Sequence, residues 1–420
     1  MQKKQLTSLK KQANQKADIV IVGSGPAGMI AALELSKNAF SPLLIGPKTD
    51  PKDMRTTALM MPQIKVLEQL NIWDDIKANS APLSTMRIID GTKRLIRSPT
   101  VSFRAHEIGE KAFGYNMPNI ALNKVLEDHI EKDKNITRIS ENVLSYEHLL
   151  EHVLVQLESG QHIETKLIIA ADGRHSAARI AAGIGTRSWK YPQTAIILSF
   201  SHPIPHQNTS TEFHTEEGPC VQVPLPGNNS SLVWVVNPQH ANNLLALGPD
   251  ALAQKIEERL SSLLGKVTIT TPAQAWPLGG IVPKTFAAER TILIGEAAHV
   301  FPPIGAQGLN LGIRDVVAII SAITKSREDP GAKIVIDSYN KDRFPDIWVR
   351  TGSVHALNRA LLSNLLPAQI VRSIGMETLR RIPPLRSLFM REGMHPGDGV
   401  RYVAQCLKPS FLKKKENISS

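Results

Sequence analysis

The residues with the clearest chemical potential lie in three separated runs of this 420-residue chain. The first is Gly23-Ser24-Gly25-Pro26-Ala27-Gly28, a G-x-G-x-x-G spacing. Gly23 suits a tight turn, Gly25 lets backbone approach a pyrophosphate, and Gly28 lets a helix pack closely on the preceding strand. The second is Ala171-Asp172-Gly173-Arg174-His175-Ser176-Ala177-Ala178-Arg179, whose Asp-Gly pair is a common turn. The third begins Gly295-Glu296-Ala297-Ala298-His299, crosses Pro302-Pro303-Ile304-Gly305-Ala306, and continues Gln307-Gly308-Leu309-Asn310-Leu311-Gly312-Ile313-Arg314-Asp315. Small residues just ahead of a helix open its N-terminus, where unpaired N–H groups and the dipole favour negative charge. A partly anionic ligand, with a pyrophosphate on the first run, is the chemistry these residue types suit.

Particular elements must position these runs. Asp18-Ile19-Val20-Ile21-Val22 is a β-branched run expected to form a buried parallel strand, and Met29 to Leu35 continues in a helical pattern. That strand-before, helix-after context turns a weak glycine match into a dinucleotide cradle. The next strand, Pro42-Leu43-Leu44-Ile45, ends in Gly46-Pro47-Lys48. A dinucleotide fold usually places an Asp or Glu there for the ribose, so the group that holds the ribose stays open. Arg55-Thr56-Thr57-Ala58-Leu59 leads into an amphipathic helix, and Phe113 to Asn119 precedes another over about 120–130. Val153-Leu154-Val155 and Lys166 to Ala170 read as a hairpin that delivers Asp172, and Thr291-Ile292-Leu293-Ile294 is a strand that delivers Gly295. From about Gly185 to Gly280, strand-like segments alternate with Pro, Asn and Ser turns around one helix-like stretch at Ala251 to Leu264, which reads as an inserted domain. The expected class is α/β: a Rossmann-like nucleotide-binding domain over 18–80, 103–184 and 286–330, and an inserted α+β substrate domain over 81–102 and 185–285. A helical basic region would follow at 331–420, with a basic tail at 1–17.

His148-Leu149-Leu150-Glu151-His152 matches the spacing of an inverted zinc-protease motif. That chemistry needs a helix, whereas Val153-Leu154-Val155-Gln156-Leu157 alternates like a strand. A surface turn with two solvated histidines, and no metal, is the expectation. Two cysteines, Cys220 and Cys406, provide neither a disulfide framework nor metal-ligand spacing.

The formal charge of +11 sits at the ends: 1–17 carries +5, 351–420 carries +7, and the middle is close to neutral. A neutral body argues against nucleic-acid binding, whose basic stripe would lie on the folded domain. Basic ends suit an anionic membrane surface or an acidic partner. The stretch containing Leu361, Leu362, Leu365, Leu366, Ile370, Val371, Ile374 and Leu379 is apolar on one side and interspersed with Arg359, Arg372, Arg380 and Arg381. It suits a bilayer interface, a packing helix or the face of a homo-oligomer. Met1 to Ala17 lacks the apolar core of a signal peptide, and no apolar run approaches the roughly 18–20 residues that span a bilayer. The expected location is the cytoplasm, peripheral on the inner face of the membrane.

The three runs, in this order and at these spacings, resemble the aromatic-ring flavoprotein hydroxylases of the para-hydroxybenzoate hydroxylase type. The wording Ala297-Ala298-His299, Gln307-Gly308-Leu309-Asn310-Leu311-Gly312 and Arg314-Asp315 is similar to the ubiquinone-biosynthesis branch, over about Asp18 to Tyr339. The resemblance implies that Gly23, Gly25 and Gly28 hold the ADP part of FAD. Arg55 would contact the pyrophosphate or ribityl chain, and Asn119 would lie near the ring system. Asp172 and Gly173 would sit near the pyrophosphate and the path of incoming NADH or NADPH. Glu296 would hydrogen-bond the ribityl chain, and the helix starting near Gly308, Leu309 and Asn310 would point backbone N–H groups at the flavin's N1–C2=O edge. The region of Pro303 would face the flavin, and the group that activates the phenol is unassigned. The implied reaction is NAD(P)H reduction of FAD, capture of O2 as a C4a-hydroperoxide, and hydroxylation of a polyprenylated phenol. Contacts with a membrane or a biosynthetic complex are implied as well.

The chain departs from the branch at Glu296, where Asp is usual, at Pro302, where His is usual, and at Gly305-Ala306, where the order is reversed. Two other readings stay open: a soluble hydroxylase of small phenolic acids, and a flavin-binding scaffold with little turnover of its own.

Overall fold

The computed structural model describes residues 15–92, 97–302, 307–362 and 366–394, with the side chains of 307 and 353–372 outside the description. The described chain forms two compact units. One comprises residues up to Pro51 with Leu122–Trp189 and Gly279–Thr351; the other comprises Lys52–Ala121, Lys190–Leu278 and the chain from Gly352 onward.

The first unit is built on a mostly parallel sheet. Its strands run in the order Ala287–Ala288, Thr291–Leu293, His162–Ala170, Gln15–Val22, Leu43–Ile45 and Thr137–Ile139. Ile19, Val20 and Ile21 in the interior of this sheet are almost completely buried, as a strand covered on both faces requires. The register decides where the chemistry emerges. Val22 pairs with both Ile45 and Ala170, and Ala170 pairs with Leu293. The strands Gln15–Val22, His162–Ala170 and Thr291–Leu293 therefore end level, and they release Gly23, Asp172 and Gly295 along one edge. Main-chain bonds fasten this edge: Gly23 N donates to Ile45 O at 2.7 Å, Ala171 N to Val22 O at 2.7 Å, and Ile294 N to Ala170 O at 2.9 Å. The carboxyl edge of a doubly wound sheet is where such folds bind ligands.

The antiparallel hairpin of Val143–His148 and Val153–Leu157 extends from His162–Ala170. His148 thus ends a strand and is not on a helix, which removes the protease reading. The expectation of two solvated histidines is corrected in part: His148 Nε2 lies 3.0 Å from Thr291 Oγ1, and burial lowers its pKa, outweighing nearby Glu289.

The second unit holds a larger, mainly antiparallel sheet ordered Thr268–Ile269, Thr186–Ser201, Asn229–Val236, Pro219–Leu225, Thr209–His214, Thr85–Asp90 and Val101–Arg104. Alternation divides its faces. Ile196, Leu198, Phe200, Leu232, Trp234 and Val236 join the helices Pro238–Leu245 and Pro249–Arg259 in one core. A smaller sheet pairs Thr56–Met60 and Ala81–Pro82 with Gly114–Pro118. The helices Leu366–Arg381 and Pro383–Met394 belong to this unit as well. Met390 is buried with Val101, Phe103, Ile108 and Phe113, and Arg386 ion-pairs with Glu107 at 2.7 Å. Ile374, Ile382, Leu385 and Phe389 stand exposed. No helix among the described residues is long and apolar enough to cross a membrane.

Candidate functional site

In the first unit the glycine run behaves as its spacing demands, and each glycine has a distinct reason. Gly23 has φ +110°, and a Cβ there would lie 2.2 Å from Ala171 O. A Cβ on Gly28 would lie 1.9 Å from Gly23 O and 3.2 Å from Ala171 Cβ. Gly25 differs: a Cβ there meets nothing within 4 Å. Gly23 and Gly28 are thus required by the protein's own packing, whereas Gly25 borders space open to a ligand. Gly25 caps the helix Pro26–Lys37, whose first turn carries no acid and begins with a proline. The N–H groups at that end are free of any competing carboxylate in the turn, which favours an anion there.

Asp172 and Gly173 follow the strand His162–Ala170 after Ala171. Gly173 takes φ +82°, a left-handed conformation that favours glycine. Asp172 Oδ2 accepts from Ala178 N at 3.1 Å, at the start of the short helix Ala177–Ala181. Its other oxygen, Oδ1, is buried with no hydrogen-bond partner among the described residues. An orphaned carboxylate oxygen beside a glycine cradle is a place for a ligand hydroxyl or water. Burial, and secondarily the Asp172 charge, push the pKa of the Tyr146 phenol up, keeping it neutral.

The third run leaves the strand Thr291–Leu293 and turns at Gly295, with φ +58°. Glu296 is half exposed, and Arg174 Nε reaches its Oε2 at 3.4 Å. Arg179 Nη1 donates to Ala297 O at 2.8 Å and Nη2 to Arg174 O at 2.9 Å, tying the second run to the third. The helix Gln307–Ile323 has no acid in its first turn. Gly308 is exposed, with nothing within 4 Å of a Cβ position; Leu309 is half-buried and Asn310 buried. Pro303 lies outside the described residues, as do Ile304, Gly305 and Ala306. Gly46, where a ribose acid is usual, leaves a Cβ only 2.8 Å from Ser24 N, and the Ser24 hydroxyl donates to Pro47 O. The tight packing of these two turns accounts for the missing side chain at Gly46.

Arg55 and Asn119 lie in the second unit, where they share one carboxylate. Arg55 Nε and Nη2 donate to Asp53 Oδ1 and Oδ2 at 2.8 and 2.9 Å, and Asn119 Nδ2 donates to Asp53 Oδ2 at 3.0 Å. Thr57 Oγ1 donates to Asn119 Oδ1 at 2.6 Å, and the Arg55 guanidinium lies 5.4 Å from the Trp276 ring centroid. Burial works to raise the pKa of Asp53, but the hydrogen bonds from Arg55 and Asn119 outweigh it and hold the carboxyl below its ordinary range. Sequence reasoning identified Arg55 and Asn119 but missed Asp53 and Trp276, which orient them. It also missed Arg174 and Arg179 as partners of the third run. A basic residue flanking an Asp-Gly turn was the available signal for both.

Comparison with known proteins identifies the family and the fold. The FAD binding domain family matches residues 16–351. The chain is 30% identical over 393 residues to the ubiquinone hydroxylase UbiL of Rhodospirillum rubrum, covering 91% of this chain and 90% of that protein. It is 28% identical over 386 residues to the 3-demethoxyubiquinol 3-hydroxylase of Escherichia coli, covering 89% and 97%. Among solved structures, the p-nitrophenol 4-monooxygenase PnpA of Pseudomonas putida superposes with a TM-score of 0.75 at 17% identity, covering 92% of this chain and 98% of that one. PqsL of Pseudomonas aeruginosa superposes with a TM-score of 0.74 at 18% identity, covering 86% and 100%. These two likenesses establish the fold. The residues that sheet register brings to one edge fit FAD: two glycines that admit no side chain, one bordering open space, and a buried carboxylate oxygen awaiting a partner. With the FAD binding domain matched over residues 16–351 and a ubiquinone hydroxylase 30% identical over about nine-tenths of both chains, the chain belongs to the FAD-dependent monooxygenases, in the branch that contains the ubiquinone-biosynthesis hydroxylases.

Proposed function

We propose that this enzyme hydroxylates the aromatic ring of a polyprenylated phenol on the route to ubiquinone, with FAD as cofactor, NADH or NADPH as reductant and O2 as co-substrate. One observation carries the reading: similarity to a ubiquinone hydroxylase extends over about nine-tenths of both chains. Bound FAD would supply hydride acceptance and oxygen activation; the protein binds, orients and excludes water. In this proposal Gly23, Gly25 and Gly28 hold the ADP part, with Asp172 and Gly173 beside the pyrophosphate and Glu296 on the ribityl chain. The helix start at Gly308, Leu309 and Asn310 faces the ring edge that becomes negative on reduction. Arg55 and Asn119 serve the pyrophosphate or ribityl chain and the ring, and Pro303 the flavin face. The functional partition assigns 18–80, 103–184 and 286–330 to FAD and 81–102 with 185–285 to substrate. The second face of the large sheet supports a ring-binding role, since Ile197, Val221, Val223 and Val233 are only partly buried there.

A strain lacking the gene is expected to accumulate an under-hydroxylated prenylated precursor, read by mass spectrometry of extracted quinones. Normal ubiquinone with no such precursor would refute the assignment. Purified protein whose NAD(P)H consumption responds only to small phenolic acids, with stoichiometric product, would move the substrate to that class.

We also propose that the protein works peripherally on the inner face of the cytoplasmic membrane, because a polyprenylated substrate partitions into lipid. Exposed Ile374, Ile382, Leu385 and Phe389 beside Arg380 and Arg381 support the reading. Full-length protein should sediment with vesicles containing anionic phosphatidylglycerol, and Phe389→Asp should weaken this about tenfold. Equal sedimentation of both proteins, or none by either, would exclude the surface.

A further inference from the structure

One buried carboxylate ties together the segments that the flavin reading needs. Asp315 sits on the helix Gln307–Ile323, and its side chain is 2% exposed. Its Oδ2 accepts from Gly295 N at 3.0 Å and lies 2.8 Å from His299 Nε2. Its Oδ1 accepts from Arg343 Nε at 2.8 Å, with Arg343 Nη2 at 2.7 Å; Arg343 belongs to the helix Lys333–Leu362. Arg343 Nη1 continues to Asp346 Oδ2 at 2.7 Å. Around the same turn, Tyr339 Oη donates to Leu293 O at 2.7 Å, and Val300 exchanges main-chain bonds with Ile281. The His299 ring, almost completely buried, stacks on Phe301 at 5.7 Å and 12°. Leu293, Gly295, Ala297, His299 and Val300 are therefore each held from within, while Glu296 between them stays half exposed.

A carboxylate anchored on a helix fixes that helix relative to whatever else it binds. Asp315 lies about 12 Å along its helix from Gln307, at 1.5 Å per residue. Through Gly295 and His299 it sets the turn carrying Glu296, and through its own backbone it sets the helix start at Gly308. We propose that Asp315, with His299, is a positioning residue for the flavin: it locks Glu296 and that helix N-terminus into one rigid relation. This rests on the FAD reading and adds to it a residue pair that need not touch the cofactor. A shift of the turn against the helix would loosen the ribityl contact and misalign the N–H groups meant for the reduced ring, so affinity and potential should change together.

His299→Leu and His299→Gln separate this from a purely structural role, because Gln can return an N–H toward Asp315 while Leu cannot. FAD affinity of the apoprotein would be read from flavin fluorescence quenching, the midpoint potential from dye-coupled titration, and folding from the melting temperature of the apoprotein. His299→Leu should bind FAD about 10–100-fold more weakly. Its potential should fall by about 30 mV, the two-electron equivalent of a tenfold preferential loss of the reduced form. His299→Gln should restore most of both. Wild-type affinity and potential in His299→Leu would overturn the inference. So would equal defects in both variants that follow a lowered apoprotein melting temperature. Wild-type protein that takes up no FAD would instead overturn the flavin reading itself.

Discussion

Gly28→Ala should lose both stability of the nucleotide unit and FAD, while Gly25→Ala should lose FAD alone. The difference stems from the surroundings of each Cβ. On Gly28 it falls 1.9 Å from Gly23 O, a backbone atom fixed by the bond from Gly23 N to Ile45 O. Neither partner can rotate away, so the helix Pro26–Lys37 must lift from the sheet. Overpacking of this kind costs about 1–3 kcal/mol, occasionally more, and a contact with rigid backbone belongs at the upper end. On Gly25 the Cβ enters open space, and φ of −72° is ordinary for alanine. Stability should then change by less than about 1 kcal/mol, whereas the methyl would occupy the approach to the helix N-terminus. Denaturant unfolding and FAD titration of the two apoproteins check both halves. A Gly25→Ala protein that binds FAD as tightly as wild type would show that the cradle does not hold the cofactor's phosphates.

The same contrast shows what could be read from the chain alone. The glycine spacing, the β-branched strand before it and the helix after it are local signals, and each emerges as expected in the structure. That Gly23 and Gly28 both pack against Ala171 is not local, because it depends on His162–Ala170 lying next to Gln15–Val22 in register. The hairpin at Val153–Leu157 was legible from alternation, and that alternation correctly outweighed the His148 to His152 spacing. The bond from His148 to Thr291 was not, since it joins residues far apart in sequence. Gly46 was legible as a departure, but its reason, crowding against Ser24, needed coordinates. At the C-terminus the apolar periodicity from Leu361 drew attention to a segment whose side chains lie mostly outside the described residues. The exposed apolar groups at Ile382, Leu385 and Phe389 escaped because Pro383-Pro384 interrupts the pattern. Asp53 and Arg343 escaped for another reason: a lone charged residue in a sequence reads as solvated surface until its partners are known.

Arg343→Met should be among the most destabilising single changes in the protein. The guanidinium is 5% exposed and lies between Asp315, 2% exposed, and Asp346, 14% exposed. Methionine approximates the length of the side chain but leaves the buried Asp315 carboxylate without its guanidinium partner. Removing one member of a buried pair typically costs about 3–5 kcal/mol, because the remaining charge keeps its desolvation penalty without compensation. Asp346 should suffer less, since Arg314 and Arg350 each remain 3.1 Å from its Oδ1. The pH dependence distinguishes loss of charge pairing from loss of packing. Burial acts to raise the pKa of Asp346, but Arg343, Arg314 and Arg350 outweigh it and hold the group below the ordinary value of about 3.9. A carboxylate with a depressed folded pKa contributes stability that is complete above its unfolded pKa and is lost as pH falls through the folded one. The gap between wild type and Arg343→Met should therefore be widest near neutrality and narrow as pH drops below about 4. Urea unfolding of both proteins at neutral and acid pH would measure it. A gap that stays constant with pH would mean that Arg343 acts through the packing of its methylene stem, and that the Asp346 carboxylate does not depend on its charge.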